Sequence, residues 1–193
     1  ASGSASLQVV DVSDPAAPWL ATSVVMAGLA YGVAVTGTHA FVATDWAGLQ
    51  VADITGSAGG RIVGSLATPD DIRALAVTPQ RVYAAADAAG LLVVDLADPE
   101  QPQLTGALDT SGSASDVAVA GDLVYVADQW GGLLVVDVAD PDQPTEIGRI
   151  HPGSTSGVAV AGEFAYVLAD GFVVVDVADP TAPRLVASLA VPG

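Results

Sequence analysis

The sequence predicts an all-β array of repeated four-stranded units. Three observations carry that reading. Apolar runs ending in Asp recur at Asp11, Asp53, Asp95, Asp137 and Asp176, 42 residues apart except for a last step of 39. The runs are short and Val-rich, broken every 5–8 residues by Gly, Pro or Asp, with no helical periodicity. Hydrophobic residues make up 51% of the chain, yet no apolar run approaches the ~18 residues needed to span a bilayer. The apolar excess is therefore expected inside, in strands covered on both faces.

Each unit carries four landmarks in fixed order. The first is a small-residue run: GVAV at 32–35, ALAV at 74–77, DVAV at 116–119 and GVAV at 157–160. The second is led by an aromatic residue: Phe41, Tyr83, Tyr125 and Tyr166. The third is the apolar run ending in Asp, such as LLVVD or FVVVD, and the fourth is a less regular strand such as EIGRI or RLVASLA. Four strands in about 42 residues is the size of one β-propeller blade. Small residues suit the innermost strand, near the crowded axis, where Gly32 and Gly157 allow close backbone approach.

The units fall at 32–67, 74–108, 116–150 and 157–191, after a half-blade at 7–26 and a linker-like 1–6, all within one domain at 7–193. The start, ASGSASL, has neither the basic nor the apolar region of a signal peptide. The fold class is thus an all-β β-propeller of four full blades plus an N-terminal half-blade. The half-blade has three solutions: a five-position ring with one position half filled, four blades with a hairpin on one edge, or completion by strands from elsewhere. Since proteins avoid bare strand edges and apolar blade faces, the last stands as a serious option beside the other two.

The phrase GLLVVDVADPDQP, with its copies, VAVxG and YVA at this period, resembles the LVIVD repeat, a bacterial and archaeal β-propeller repeat, over residues 7–193. The second copy departs from it: VADITGSAGGRI, residues 51–62, lacks the DPxxP turn. The resemblance implies a propeller, often extracellular or surface-attached, and assigns no activity.

The repeated polar residues read as turn chemistry. DPxxP spans Asp14–Pro18, Asp98–Pro102, Asp140–Pro144 and Asp179–Pro183. Asp at the first position of a turn accepts backbone N–H groups, and Pro is pre-set for the second. The Asp closing each third strand is expected to do the same for the adjoining turn. Propeller rotation spreads these Asp around the ring, and no string of calcium-loop type is present, so neither a metal nor a cofactor is expected.

Variable positions point to one loop face, built from the connections between second and third strands and between blades. Trp46 and Trp130 occupy equivalent second-to-third connections, beside Asp45 and Asp128, while Tyr31, Asp70, Asp71, Arg73 and His151 share the face from the inter-blade loops. Exposed aromatics rimmed by polar groups make a binding patch. The alternative is that both Trp lie flat on neighbouring blades and close the core. Catalysis is not expected. Of the inner-strand openings Gly32, Ala74, Asp116 and Gly157 only one is acidic, no nucleophile elbow is present, and GSAGG at 56–60 lacks the Lys of a phosphate loop.

The formal net charge is −17, from 19 Asp and 3 Glu against five Arg and no Lys. Such a surface repels phosphate backbones and anionic lipid, so neither nucleic acid binding nor membrane insertion is expected. With no Cys, disulfides and thiolate chemistry are excluded. Taken with the location that the resemblance implies, the sequence leads to a non-enzymatic extracellular or cell-surface module. It would bind a protein partner or self-associate through the open blade edge and the loop face. A carbohydrate, small-molecule or hydrolytic site at Trp46 and Trp130 is the alternative.

Overall fold

The computed structural model describes residues 6–55 and 60–190. The expected linker and the Gly-rich 56–59 lie outside them, apart from Ser6, which opens the first strand. The half-blade is a hairpin of β1 (Ser6–Asp11) and β2 (Trp19–Val25). Four antiparallel four-stranded sheets follow. The first blade is β3 (Ala30–Thr36), β4 (His39–Thr44), β5 (Leu49–Asp53) and β6 (Arg61–Leu66). The second is β7 (Ala74–Val77), β8 (Arg81–Ala85), β9 (Leu91–Asp95) and β10 (Gln103–Leu108). The third is β11 (Asp116–Ala120), β12 (Leu123–Ala127), β13 (Leu133–Asp137) and β14 (Thr145–Ile150). The fourth is β15 (Gly157–Ala161), β16 (Phe164–Leu168), β17 (Phe172–Asp176) and β18 (Arg184–Leu189). The inner strands β3, β7, β11 and β15 neighbour one another in that order. The fold is a β-propeller with an open blade array.

One packing rule is used three times. Phe41, Ala43, Leu49 and Val51 of the first blade pack on Val82, Ala84, Leu92 and Val94 of the second. Tyr83, Ala85, Leu91 and Val93 of the second pack on the third, and Tyr125, Ala127, Leu133 and Val135 of the third on the fourth. Strand alternation sends each set to the side of the following blade and the intervening residues to the side of the preceding one. This is why LLVVD is apolar throughout: Leu91 to Val94 and Leu133 to Val136 are buried on both faces.

The turn chemistry follows the residues. In each DPxxP turn the Asp carboxylate accepts the N–H two residues on, as Ala16, Glu100, Asp142 and Thr181 show. Its carbonyl accepts the N–H three residues on. Asp11, Asp53, Asp137 and Asp176 likewise accept the N–H two residues on. Asp95 instead meets Arg81 at 3.3 Å.

The DPxxP turns also set the blade spacing. The fourth strand of each of the first three full blades opposes a third-strand Val with glycine: Gly64, Gly106 and Gly148. A β-carbon on Gly64 would stand 2.6 Å from the Pro99 carbonyl oxygen of the next blade's turn. On Gly106 and Gly148 it would stand closer still to the carbonyl oxygens of Pro141 and Pro180. Only glycine admits the following turn. The equivalent residue of the fourth blade is Ala187, opposite Val174, and that of the half-blade is Thr22, opposite Val9.

Two expectations are corrected at the ends of the array. FVVVD is not buried on both faces: Val173 and Val175 are buried while Phe172 and Val174 are half-buried, and every residue of β18 is exposed. The inner strand β3 is not enclosed either. Val33 is 55% exposed, against 5% for Val117 and 9% for Val158 at the same repeat position. The reason is shared. Among the described residues the first blade has only the outer half of a preceding blade and the fourth has no following one, so part of the apolar excess faces outward.

Candidate functional site

The loop face is built from a five-residue turn joining second and third strands. Thr44, Ala86 and Asp128 open it, each donating its backbone N–H to the carbonyl of Gly48, Gly90 or Gly132. Beneath the turns lie Ile72, Ala114 and Thr155 from the inter-blade loops, all fully buried. Asp87 and Ala114 exchange two backbone hydrogen bonds, and the Thr155 N–H donates to the Gln129 carbonyl. Each turn thereby clamps the loop that leads into the next blade. Asp87 and Gln129 adopt the left-handed φ of 44° to do so.

Asp128 is buried, which corrects its expected place on the exposed patch. It takes the interior turn position filled elsewhere by Thr44 and Ala86. The Thr110 hydroxyl donates to its Oδ1 at 2.6 Å, the Gly112 N–H donates to its Oδ2 at 2.8 Å, and Arg149 stands 3.9 Å away. Burial pushes this carboxyl up from its usual range, against those donors. Arg149 forks onto both Glu146 oxygens at 2.8 and 2.6 Å and bonds Ser111 Oγ and the Gly131 carbonyl. Asp128 is a structural latch for the loop at 109–116.

Tyr31, Asp71 and Arg73 are brought together. Arg73 lies over the Tyr31 ring at 5.0 Å and stands 3.5 Å from Asp71. Its main partner is Asp87 at 2.6 Å, a residue that sequence reasoning left out of the site, although ADAAG sits at the same turn position as TDWAG. Its guanidinium holds the Asp87 carboxyl below its usual range. The pair ties the loop after the first blade to the turn of the second. Asp70 caps its own loop by accepting the Asp71 N–H, and Asp45 accepts the Leu29 N–H. His151 is exposed, with no side-chain hydrogen bond among the described residues.

Trp46 and Trp130 do not close the core: they are 76% and 79% exposed. They stand on the first and third blades with the second between, so they form two aromatic points on one rim rather than one stacked platform. Among the described residues no three His, Asp or Glu side chains converge in metal-binding fashion.

The five-fold repetition is matched throughout by the LVIVD repeat, at residues 1–25, 27–65, 73–110, 111–151 and 152–191. The chain belongs to the LVIVD repeat family. No curated protein matches it. In this LVIVD-repeat propeller the repeated residues build blades and turns. What differs between the repeats of this chain lies at the loop rim and at the two ends. One end-specific device is Gln50, which holds the place of Leu92 and Leu134. Its side chain accepts the Ala27 N–H at 3.1 Å and donates to the Ala27 carbonyl, tying the half-blade's exit to the first blade.

At the first end, Leu7, Val24 and Met26 of the half-blade pack on Ala40, Val42 and Ala52. Further in, a slot runs between β1 and β3, floored by Tyr31, Val33 and Val42 and walled by Leu7. At the other end, the Tyr166 and Phe172 rings stack at 6.2 Å on the uncovered face, with Leu168 52% exposed beside them.

Proposed function

We propose that this LVIVD-repeat protein is a non-enzymatic binding and assembly module of the cell exterior, which engages protein surfaces through the two open ends of its blade array. The observation that carries the reading is the exposure of repeat positions that the interior joints cover: Val33 at one end, where Leu75 is half-buried and Val117 and Val158 are buried, and Leu168 at the other, where Ala43, Ala85 and Ala127 are buried. Monomeric proteins rarely leave contiguous apolar faces uncovered without a use. The loop rim favours a second reading, a carbohydrate or small-molecule site, because Trp46 and Trp130 are both presented to solvent.

The absence of Cys makes the test clean. Single-Cys variants at Val33, Leu168 and Trp46 are displayed in the native cellular setting and probed with a membrane-impermeant maleimide. Protection at positions 33 and 168 with 46 reactive supports docking at the ends. Protection at 46 alone overturns it in favour of the rim. The same impermeant reagent tests the location, since a protein inside the cell stays unlabelled at all three positions until lysis.

A further inference from the structure

We propose that the slot between β1 and β3 receives a β-hairpin of this repeat's own inner two strands, supplied from outside residues 1–193 and added to the free edge of β1. The inference rests on the end-docking reading above and names the occupant of one end. In every full blade the third strand has the second strand on its inner edge, whereas among the described residues β1 pairs only with β2. The unpaired backbone edge of β1 is a template for strand addition.

The repeat specifies the missing strand. In the third blade Leu123, Tyr125 and Ala127 oppose Asp137, Val135 and Leu133. The same residue types in the same register on β1 oppose Asp11, Val9 and Leu7. The aromatic ring and the alanine then face the first blade, as Tyr125 and Ala127 face the fourth. That floor is Val33 and Val42, and Val42 already belongs to the buried half-blade interface. The slot is the uncompleted part of an interface that is otherwise built.

The occupant is a hairpin from outside residues 1–193 rather than a second copy of the array. Each inner hairpin among the described residues, β3–β4, β7–β8, β11–β12 and β15–β16, is engaged in its own blade. Nor does the fourth blade stack on a half-blade in the repeat's geometry, in its own or another copy. The half-blade carries a DPxxP turn at Asp14–Pro18, and the residue that would receive its Pro carbonyl is Ala187, where the three interior joints have glycine.

The test uses the full chain and a fluorescent peptide of residues 116–127, DVAVAGDLVYVA. Expected are saturable binding by anisotropy, a one-to-one complex by light scattering, and slowed amide exchange within β1. At least tenfold weakening is expected for the host variant Val33→Glu and for a peptide carrying Tyr125→Asp and Ala127→Asp. Host variants Trp46→Ala and Trp130→Ala bind as the parent does. No saturation up to about 1 mM, or binding indifferent to Val33→Glu, overturns the proposal. So does a parent that self-associates with β1 already protected, since a second copy then fills the slot. That last result leaves docking at the ends intact, whereas the maleimide pattern alone decides whether the ends or the rim are engaged.

Discussion

Gly148 lies against the Pro180 carbonyl of the next blade so closely that no β-carbon fits between them. Its counterpart in the fourth blade, Ala187, is exposed and meets no following blade among the described residues. Gly148→Ala is expected to lower stability by about 1–3 kcal/mol, as overpacking of a close interface does. Ala187→Gly is expected to cost no more than about 1 kcal/mol, the ordinary penalty of glycine in a strand. Denaturant midpoints of the two variants check this. Equal effects would mean that the joint is looser than its geometry.

Asp128 is held by two donors and has no solvent contact. Asp128→Asn keeps the shape but turns an amide toward one of them, so a loss of about 1–3 kcal/mol is expected. Because burial raises the Asp128 carboxyl, the folded state holds its proton to higher pH than the unfolded chain does. Its favourable contribution is present in acid and fades as pH rises through the folded value. The stability gap between parent and Asn variant therefore widens as pH is lowered from neutrality. Denaturation curves at several pH values read this directly.

Arg73 and Asp87 give the opposite sign. Here the carboxyl is lowered by its guanidinium partner, so the pair stabilises above the ordinary carboxylate range and loses that contribution as pH falls through the depressed folded value. Arg73→Met is expected to cost about 0.2–1 kcal/mol at neutral pH, the range for a partly exposed pair, with the gap closing in acid. A gap independent of pH would assign the cost to lost packing over Tyr31 instead.

Asp116 bridges two blades: its Oδ1 accepts the Val117 N–H at 2.9 Å and its Oδ2 the Val158 N–H at 2.8 Å. Asp116→Ala is expected to cost about 1.5–3 kcal/mol, the range for a hydrogen bond to a charged acceptor. Repeat arrays are stabilised joint by joint, so the loss concentrates in the fourth blade. Amide exchange should accelerate at Val158 and along β15 to β17 while the second blade keeps its protection.

The two Trp of the rim are expected to be silent in stability. Trp46→Ala and Trp130→Ala should each change the unfolding free energy by no more than about 0.5 kcal/mol, as exposed side chains do. A loss of 2 kcal/mol or more, on the order of a core truncation, would return them to the core.

The sequence by itself determined the blades, their period, the half-blade and the turns. These depend on short-range rules repeated along the chain: alternation in a strand, Asp and Pro in a turn, an apolar run where both faces are covered. LLVVD is legible because it repeats and because its environment is symmetrical. Tertiary structure alone decided what breaks the symmetry. FVVVD looks like its copies but is open on one side, since among the described residues no blade packs on the far face of the fourth. Asp128 reads like a rim carboxylate beside Trp130 but points inward, because the first turn position faces the loop below and not solvent. Asp87 joins the site because the fold brings Arg73 to it from 14 residues away. Ala187 gains meaning only when the carbonyl facing its glycine counterparts is seen. Burial and partnership are properties of neighbours in space, and a repeat cannot state in its own residues which of its copies stands at the end.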